Sequence, residues 1–212
     1  MNSEIHSQIP EIKKSDEKES QNRFDPDKRI DRSESNQPEH AKDGFNPDQR
    51  IQASFRDDKG NVYQDENGLL KNKTYELNHY IFTTDSKGRI KSAEGTLRLK
   101  RPDENREPEK VSIKVISKNE NLKTDDRGRL IGDRFYGPGT LGNLVAMDFH
   151  LNRGEYKKME NNNAKAVNEG KKVYLKVEPK YRGKENRPYV INATSTIDGE
   201  KITISFKNRS DV

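Results

Sequence analysis

The first 52 residues hold too few large apolar side chains to build a core, and this restricts where the chain can fold. They are rich in Ser, Asn, Gln, Asp, Glu and Lys and show no sustained apolar periodicity, so burial cannot offset the entropy lost on ordering. Apolar residues make up only 28% of the whole chain. We therefore predict a disordered arm over residues 1–52 and one domain with a small core over residues 53–212.

A short duplication lies within the predicted arm. Residues 24–30 (FDPDKRI) recur as residues 45–51 (FNPDQRI), with five of seven positions identical. One interpretation is a repeated linear motif whose Phe and Ile anchor a partner or dock onto the folded domain. The alternative is a duplicated linker that makes no specific contact. Two copies this short do not form a repeat solenoid.

Charge is divided unevenly between the two regions. Residues 1–52 hold nine basic and twelve acidic side chains, whereas residues 53–212 hold 32 and 24, a net charge of +8. A basic folded region favours a polyanionic partner such as DNA or RNA, although basic surfaces also simply oppose aggregation. The chain has no Cys, which excludes disulfides and thiolate metal sites.

No segment of the sequence is suited to a membrane, because a spanning helix needs about 20 consecutive apolar residues. The amino terminus has no basic stretch leading into an apolar run, so we expect no secretory signal peptide. We therefore expect a soluble protein with no membrane partner. It would be cytoplasmic, or exported by a route that needs no signal peptide.

Strand-like and helix-like patterns follow residue 53, and together they predict an α+β fold in which antiparallel strands flank one main helix. The predicted elements are strands at 75–82 and 89–97 joined by a turn at 84–88, a charged loop at 101–111, a short strand at 111–116, a helix at 152–169 ending before Gly170, a strand at 173–178, and a hairpin of 190–197 and 201–206 around Asp198-Gly199. The candidate functional positions fall at the junction of these strands with the helix.

Four segments after residue 88 carry the most specific signal. They are residues 88–97, with SAEGTL at 92–97, residues 126–135, which begin DRGR, residues 142–145 (GNLV) and residues 151–160 (LNRGEYKKME). In order and spacing they resemble the DNA/RNA non-specific endonuclease family of ββα-metal nucleases, especially its branch of type VII secretion toxin domains. The resemblance covers about residues 73–208, and no segment is decisive alone.

The resemblance implies a site for Mg²⁺ or another divalent cation. In the family an Asn at the position of Asn152 supplies the ligand oxygen, Glu160 is a partner for metal-bound water, and Asn143 supports the site by orienting the base or holding water. Glu160 lies eight residues after Asn152, so a continuous helix would place both on one face. Taken singly, Asn152 is also a good helix N-cap, Glu160 an ordinary exposed helix charge, and Asn143 a turn residue.

Arg129 is the departure from the family pattern, which has a catalytic His at that position. A general base must be unprotonated near neutral pH, whereas a guanidinium has five donors, no acceptor and a pKa above ~12. The sequence allows three interpretations of Arg129: a group that binds phosphate, a change introduced to silence a toxic enzyme, or a spontaneous substitution. We predict that Arg127, Arg129, Lys157 and Lys158 contact phosphates, although a solvated surface charge is the commoner explanation for each lysine taken singly.

Four other side chains are near enough in sequence to be considered as replacement bases. They are His150, Asp125, Asp126 and Asp148. Each would have to lie within about 3 Å of the attacking water, and sequence distance alone does not favour any of them.

Three functional hypotheses follow. The first is a metal-dependent, sequence-non-specific DNA/RNA endonuclease of the bacterial toxin type, with activity impaired by Arg129 and a cognate immunity protein as a candidate partner. The second is a catalytically weak or inactive nuclease fold that binds nucleic acid. The third is a protein that acts only by contacting an inhibitor or a secretion partner through residues 1–52.

Overall fold

The structure is a computed structural model, and it describes residues 54–106 and 108–209. The predicted arm over 1–52 and its duplicated motif lie outside the described residues, so the boundary at residue 52 stays a prediction. The strands are β1 Phe55–Arg56, β2 Val62–Asp65, β3 Gly68–Leu69, β4 Thr74–Leu77, β5 Tyr80–Thr84, β6 Ile90–Thr96, β7 Asp125–Arg129, β8 Leu144–Asp148, β9 Val173–Lys180, β10 Val190–Ile197 and β11 Glu200–Lys207, and the helices are α1 Ile113–Ser117, α2 Phe149–Arg153 and α3 Glu155–Asn168. Across these described ranges, no helix is long and apolar enough to cross a bilayer.

An antiparallel sheet of six strands organises the fold, in the order β11-β10-β9-β6-β5-β4. Strands β7 and β8 form a separate antiparallel pair, and β1, β2 and β3 form a small third sheet. One buried cluster joins Phe82 and Val177 of the large sheet to Met147 of β8 and to Tyr156 and Met159 of α3. The β7–β8 pair and α3 therefore share one core with the large sheet, which confirms the predicted α+β class.

Buried tyrosines fix the segment between β7 and β8 to the rest of the core. Tyr75 and Tyr80 come from the large sheet and Tyr156 from α3. Their hydroxyls donate to backbone oxygens of Gly142 (2.7 Å), Phe135 (2.6 Å) and Leu130 (2.8 Å), respectively. Because a buried hydroxyl without a partner is costly, these bonds hold residues 130–143 in one conformation.

The carboxyl-terminal hairpin is confirmed. Strand β10 pairs with β11 along its full length, from Val190 opposite Lys207 to Ile197 opposite Glu200. The two loop residues, Asp198 and Gly199, have φ values of 48° and 95°, as a two-residue hairpin turn requires. The predicted strands at 89–97 and 173–178 are also present, as β6 and β9.

The single strand predicted at 75–82 is wrong, because the chain reverses in its middle. Asn78 and His79 have φ values of 51° and 68° and connect β4 to β5 as an antiparallel hairpin. Positive φ at both loop residues gives the turn whose twist suits flanking strands. The aromatic and β-branched pattern was correct for strand, but it concealed a two-residue loop.

The short strand predicted at 111–116 is also wrong, because this segment forms α1. The hydroxyl of Ser112 caps the helix by accepting from the backbone N–H of Val115. Ile116 packs in a small cluster with Leu141 and Leu144. The cap and burial on one side outweigh the weak β preference of the branched residues.

The helix predicted at 152–169 is interrupted at Gly154, which has φ −103° and ψ −104° and separates α2 from α3. A Cβ at Gly154 would lie 2.5 Å from the backbone oxygen of His150, so the break requires glycine. Asp148 caps α2 by accepting from the N–H of His150. Asn152 consequently lies inside α2 and is not an N-cap.

The carboxyl end of α3 is near the predicted one, with φ of 80° at Gly170.

Candidate functional site

The candidate site is built on a strand–strand–helix unit formed by β7, β8 and the α2–α3 pair. Strands β7 and β8 are antiparallel and in register from Asp125 opposite Asp148 to Arg129 opposite Leu144. A Cβ on Gly128 would lie 2.5 Å from Cβ of Met147, so the strands pack this closely only with glycine there. The start of β7 therefore lies beside the start of α2, where Asn152 contacts Asp126.

A cavity of about 680 Å³ opens on this unit. Its wall holds six cationic side chains (Arg106, Arg127, Arg129, Arg134, Arg153 and Lys157), four carboxylates (Glu109, Asp126, Asp133 and Glu160), Gly132 and Asn152. The structure thus brings together five of the predicted site residues, namely Arg127, Arg129, Asn152, Lys157 and Glu160. Lys158 is exposed on α3 and does not line the cavity.

Arg129 is held inside the cavity wall by ion pairs. Only 6% of the residue is exposed. Its Nε donates to Glu109 Oε1 at 3.2 Å, and its Nη1 donates to Asp133 Oδ1 at 2.7 Å and to the backbone oxygen of Gly137 at 2.6 Å. The group at the expected base position is therefore a fixed cation that cannot accept a proton.

Glu109 and Asp133 also line the cavity, although no sequence pattern indicated them. Glu109 also accepts from Arg106 at 2.5 Å, and Asp133 from Lys100 at 3.0 Å. Burial raises the pKa of Glu109, but the hydrogen bond from Arg106 and the charges of Arg106 and Arg129 outweigh it, so this pKa lies below its ordinary value. Both carboxylates are therefore committed to cations, and neither resembles a general base.

Asn152 faces the cavity with its amide held at one end. Its Nδ2 donates to Asp126 Oδ2 at 3.1 Å. Arg153 binds the same carboxylate through Nε at 2.8 Å and Nη2 at 2.9 Å. Within residues 54–106 and 108–209, no hydrogen-bond donor contacts Asn152 Oδ1. This oxygen is accordingly available as a ligand.

Glu160 is the least neutralised carboxylate of the wall. Its side chain is 12% exposed, and Lys157 Nζ lies 3.8 Å from Oε2; in the described part of the chain it accepts no hydrogen bond. Burial raises the pKa of Glu160, and the charges of Lys157, Arg134 and Arg129 compensate only in part. A Cβ on Gly132 would lie 2.1 Å from Glu160 Oε1, so Gly132 gives this carboxylate its room.

Asn143 lies behind the cavity and not in its wall. It is fully buried. Its Oδ1 accepts from Ile131 N, and its Nδ2 donates to the backbone oxygens of Ile131 and Pro138, each at 2.9 Å. Its amide thus holds together the two sides of the turn that contains Gly132 and Asp133. Its Oδ1 and Nδ2 are bonded to the backbone, and Asn143 does not line the cavity.

The four replacement bases considered from sequence are placed poorly for that role. His150 has a side chain 71% exposed, with Nδ1 3.4 Å from the α2 cap Asp148, and neither lines the cavity. Asp125 is buried in a two-point ion pair with Arg187, both contacts at 2.7 Å. Of the four, only Asp126 lines the cavity, and Arg153 neutralises it.

The residues present fit a hydrated divalent cation better than a dedicated metal cage. Across the described ranges, no group of three or more His, Cys, Asp or Glu side chains could hold a metal ion. Mg²⁺ prefers oxygen ligands and keeps several of its waters. The Oδ1 of Asn152 could serve as a direct ligand, and Glu160 could contact a water of the same ion.

The model of the DNA/RNA non-specific endonuclease family matches residues 71–199. The chain belongs to this family. The match includes β7, β8, α2 and α3, and therefore the whole strand–strand–helix unit of this endonuclease domain.

The endonuclease domain is also similar to part of a larger protein. It is 33% identical over 129 residues to the type VII secretion system protein EssD of Staphylococcus aureus strain USA300, and equally so to EssD of strain NCTC 8325. The matched region is 58% of this chain and 20% of EssD. The chain therefore spans about one fifth of the length of these curated relatives.

Solved structures with a similar backbone include Sda1 nuclease with a bound zinc ion and an extracellular endonuclease. Each has a TM-score of 0.43 and 18% sequence identity to this chain. The first similarity covers 62% of this chain and 76% of the other, and the second covers 59% and 75%.

Proposed function

We propose that this chain is a metal-dependent, sequence-non-specific endonuclease that hydrolyses phosphodiester bonds in DNA or RNA. The observation that carries the proposal is the cavity itself. It combines an available amide oxygen on Asn152 and a weakly neutralised carboxylate on Glu160 with six cationic side chains. Family membership supports the same chemistry.

The cationic side chains supply the binding energy for the backbone of the substrate. Arg127 and Lys157 have side chains 44% and 51% exposed in the cavity wall, where they can reach phosphates. Asn152 would hold the cation through Oδ1, and Glu160 would contact one of its waters. When bound, Mg²⁺ supplies Lewis-acid stabilisation of the charge that develops on the phosphate and the leaving oxygen.

Arg129 lowers the rate of hydrolysis that we expect from this site. Without a general base at that position, hydrolysis should be about 10²- to 10⁴-fold slower than in a variant that has one. Cleavage should not vanish, because electrostatic stabilisation of the phosphoryl group does not require the base. We therefore propose a slow nuclease.

The fixed ion pairs of Arg129 favour a second candidate, a nuclease fold that binds nucleic acid without cutting it. Arg129 bonds two carboxylates of the wall, so the cavity is stably built around a residue that is not a base. A binding module would retard DNA in a gel, with an affinity that falls steeply as salt rises, and would yield no cleavage products at any Mg²⁺ concentration.

The similarity to EssD supports a biological context. We infer that this domain acts with a type VII secretion system as a nuclease toxin, and that a cognate immunity protein binds it. Because only 20% of EssD is matched, the support applies to the nuclease region alone. Growth arrest of bacteria that express the chain, relieved by Asn152→Ala, would test the toxin role.

Digestion of supercoiled plasmid tests the proposed activity. Purified chain with Mg²⁺ should convert the plasmid to nicked and linear forms over hours, and excess chelator should stop this. Asn152→Ala should reduce the rate at least tenfold, while Asn162→Ala, which alters an exposed asparagine on α3, should not. Cleavage that persists equally with chelator or in Asn152→Ala would refute the metal-dependent mechanism.

A further inference from the structure

Asp126 and Asn152 come from different elements and meet at the edge of the cavity. Asp126 lies on β7 and Asn152 on α2, 26 residues apart in sequence, and the amide Nδ2 donates to the carboxylate at 3.1 Å. Arg153, the residue after Asn152, holds both oxygens of the same carboxylate. Three side chains therefore form one linked group.

This linkage determines which end of the amide faces the cavity. An amide has a donor end and an acceptor end of nearly equal size, and only the oxygen can bind a cation. An ionised carboxylate accepts hydrogen bonds and cannot donate them. Asp126 can therefore bond only the NH₂ end of Asn152, and Oδ1 is turned away from it.

Arg153 holds the carboxylate of Asp126 in one orientation. Its Nε and Nη2 donate to the two carboxylate oxygens, and this two-point contact fixes the plane of the carboxylate. Because both of its oxygens accept from the guanidinium of Arg153, the carboxylate of Asp126 is an acceptor toward Asn152.

We propose that Asp126, fixed by Arg153, is a positioning residue that orients the amide of Asn152 so that Oδ1 is presented to a divalent cation. The inference rests on the proposed metal-dependent function and adds to it a reason for the first residue of the DRGR segment. Partners that orient metal ligands typically change metal affinity about 10- to 100-fold when they are removed.

A variant that keeps the local charge separates orientation from simple electrostatics. Asp126→Asn combined with Arg153→Gln removes one negative and one positive charge, so the net charge near the cation is unchanged. The amide at 126 can bond either end of Asn152, so the orientation is lost. Binding of Mn²⁺, followed by electron paramagnetic resonance without nucleic acid, should weaken at least about tenfold relative to the wild-type chain.

Three results would be decisive. Binding within about threefold of wild type in a folded double variant would overturn the positioning role, while leaving the metal-dependent function intact. Failure of the wild-type chain to bind Mn²⁺ at millimolar concentration would overturn the proposed function, and the inference with it. A tenfold or greater loss, with Asn162→Ala unchanged, would support the inference.

A second measurement covers the case in which the double variant is poorly folded. Titration of wild-type chain labelled with ¹⁵N should shift the side-chain amide signals of Asn152 as Mg²⁺ is added. The single variant Asp126→Asn, which changes only the carboxylate and leaves Arg153 in place, should lose this shift. Retention of the full shift in Asp126→Asn would contradict the proposal.

Discussion

The guanidinium of Arg129 donates a 2.7 Å hydrogen bond from Nη1 to Asp133 Oδ1, linking the end of β7 to the turn that follows it. Glu109 binds the same guanidinium from the loop on the other side, at 3.2 Å. With 5% of its side chain exposed, Arg129 is a structural cation, and it lies where we propose that the family has its base. Two consequences, one for stability and one for catalysis, can be measured separately.

Removing the charge of Arg129 should destabilise the fold. Arg129→Met leaves Asp133 and Glu109 in the wall without this partner, and breaking a buried ion pair typically costs about 3–5 kcal/mol. Urea unfolding should show a loss of roughly 3 kcal/mol. Arg127→Met, which alters a neighbouring side chain that is 44% exposed, should change the unfolding free energy by less than about 1 kcal/mol. Equal losses in the two variants would show that the Arg129 ion pairs contribute nothing.

Glu160 should make stability depend on pH. Burial raises its folded-state pKa above the ordinary value of 4.5. The contribution of the protonated side chain to the free energy of unfolding is therefore fully present below pH 4.5. It is lost as the pH rises through the folded-state pKa. Relative to wild type, Glu160→Gln should therefore gain stability between pH 4 and pH 8. Chemical unfolding of metal-free protein at several pH values measures this.

The control for this measurement is Glu155→Gln, which removes an exposed carboxylate from the first turn of α3. If the stability difference between wild type and Glu160→Gln is the same at pH 4 and pH 8, Glu160 is not held in the buried environment described here.

Lys157 and Lys158 form a matched pair for testing how nucleic acid is bound. Both are exposed on α3, but only Lys157 lines the cavity. Lys157→Gln should weaken binding to duplex DNA in the presence of chelator and lower the slope of log K against log salt by about 0.9, the value for one phosphate contact. Lys158→Gln should change the slope less. A larger effect at Lys158 would place the DNA outside the cavity.

The sequence predicted the elements whose apolar residues recur at the spacing of a strand or a helix. The prediction was wrong where a turn, a cap or a glycine determined the conformation instead. The hairpin at Asp198-Gly199 has a standard two-residue turn sequence. By contrast, β7 reads Asp-Asp-Arg-Gly-Arg, which has no strand pattern at all. It is a strand because β8 is buried beside it and Gly128 permits close packing against Met147.

The same distinction applies to the site. Asn152 and Glu160 were predicted from their resemblance to a family, and the structure places both in one cavity. Glu109 was not predictable, since it lies in a charged loop 20 residues before its partner Arg129 and no local pattern distinguishes it from its neighbours. The position of Asn143 behind the wall could be known only from its three backbone partners.

Replacing Arg129 by His shows whether the proposed site is complete except for its base. Plasmid cleavage by wild type, Arg129→His and Arg129→Gln would be compared with Mg²⁺ and with chelator, after circular dichroism has shown that each variant is folded. We expect Arg129→His to cut about 10²- to 10⁴-fold faster than wild type. Arg129→Gln should show no such gain, and chelator should abolish it. A folded Arg129→His variant that cuts no faster than Arg129→Gln would contradict it.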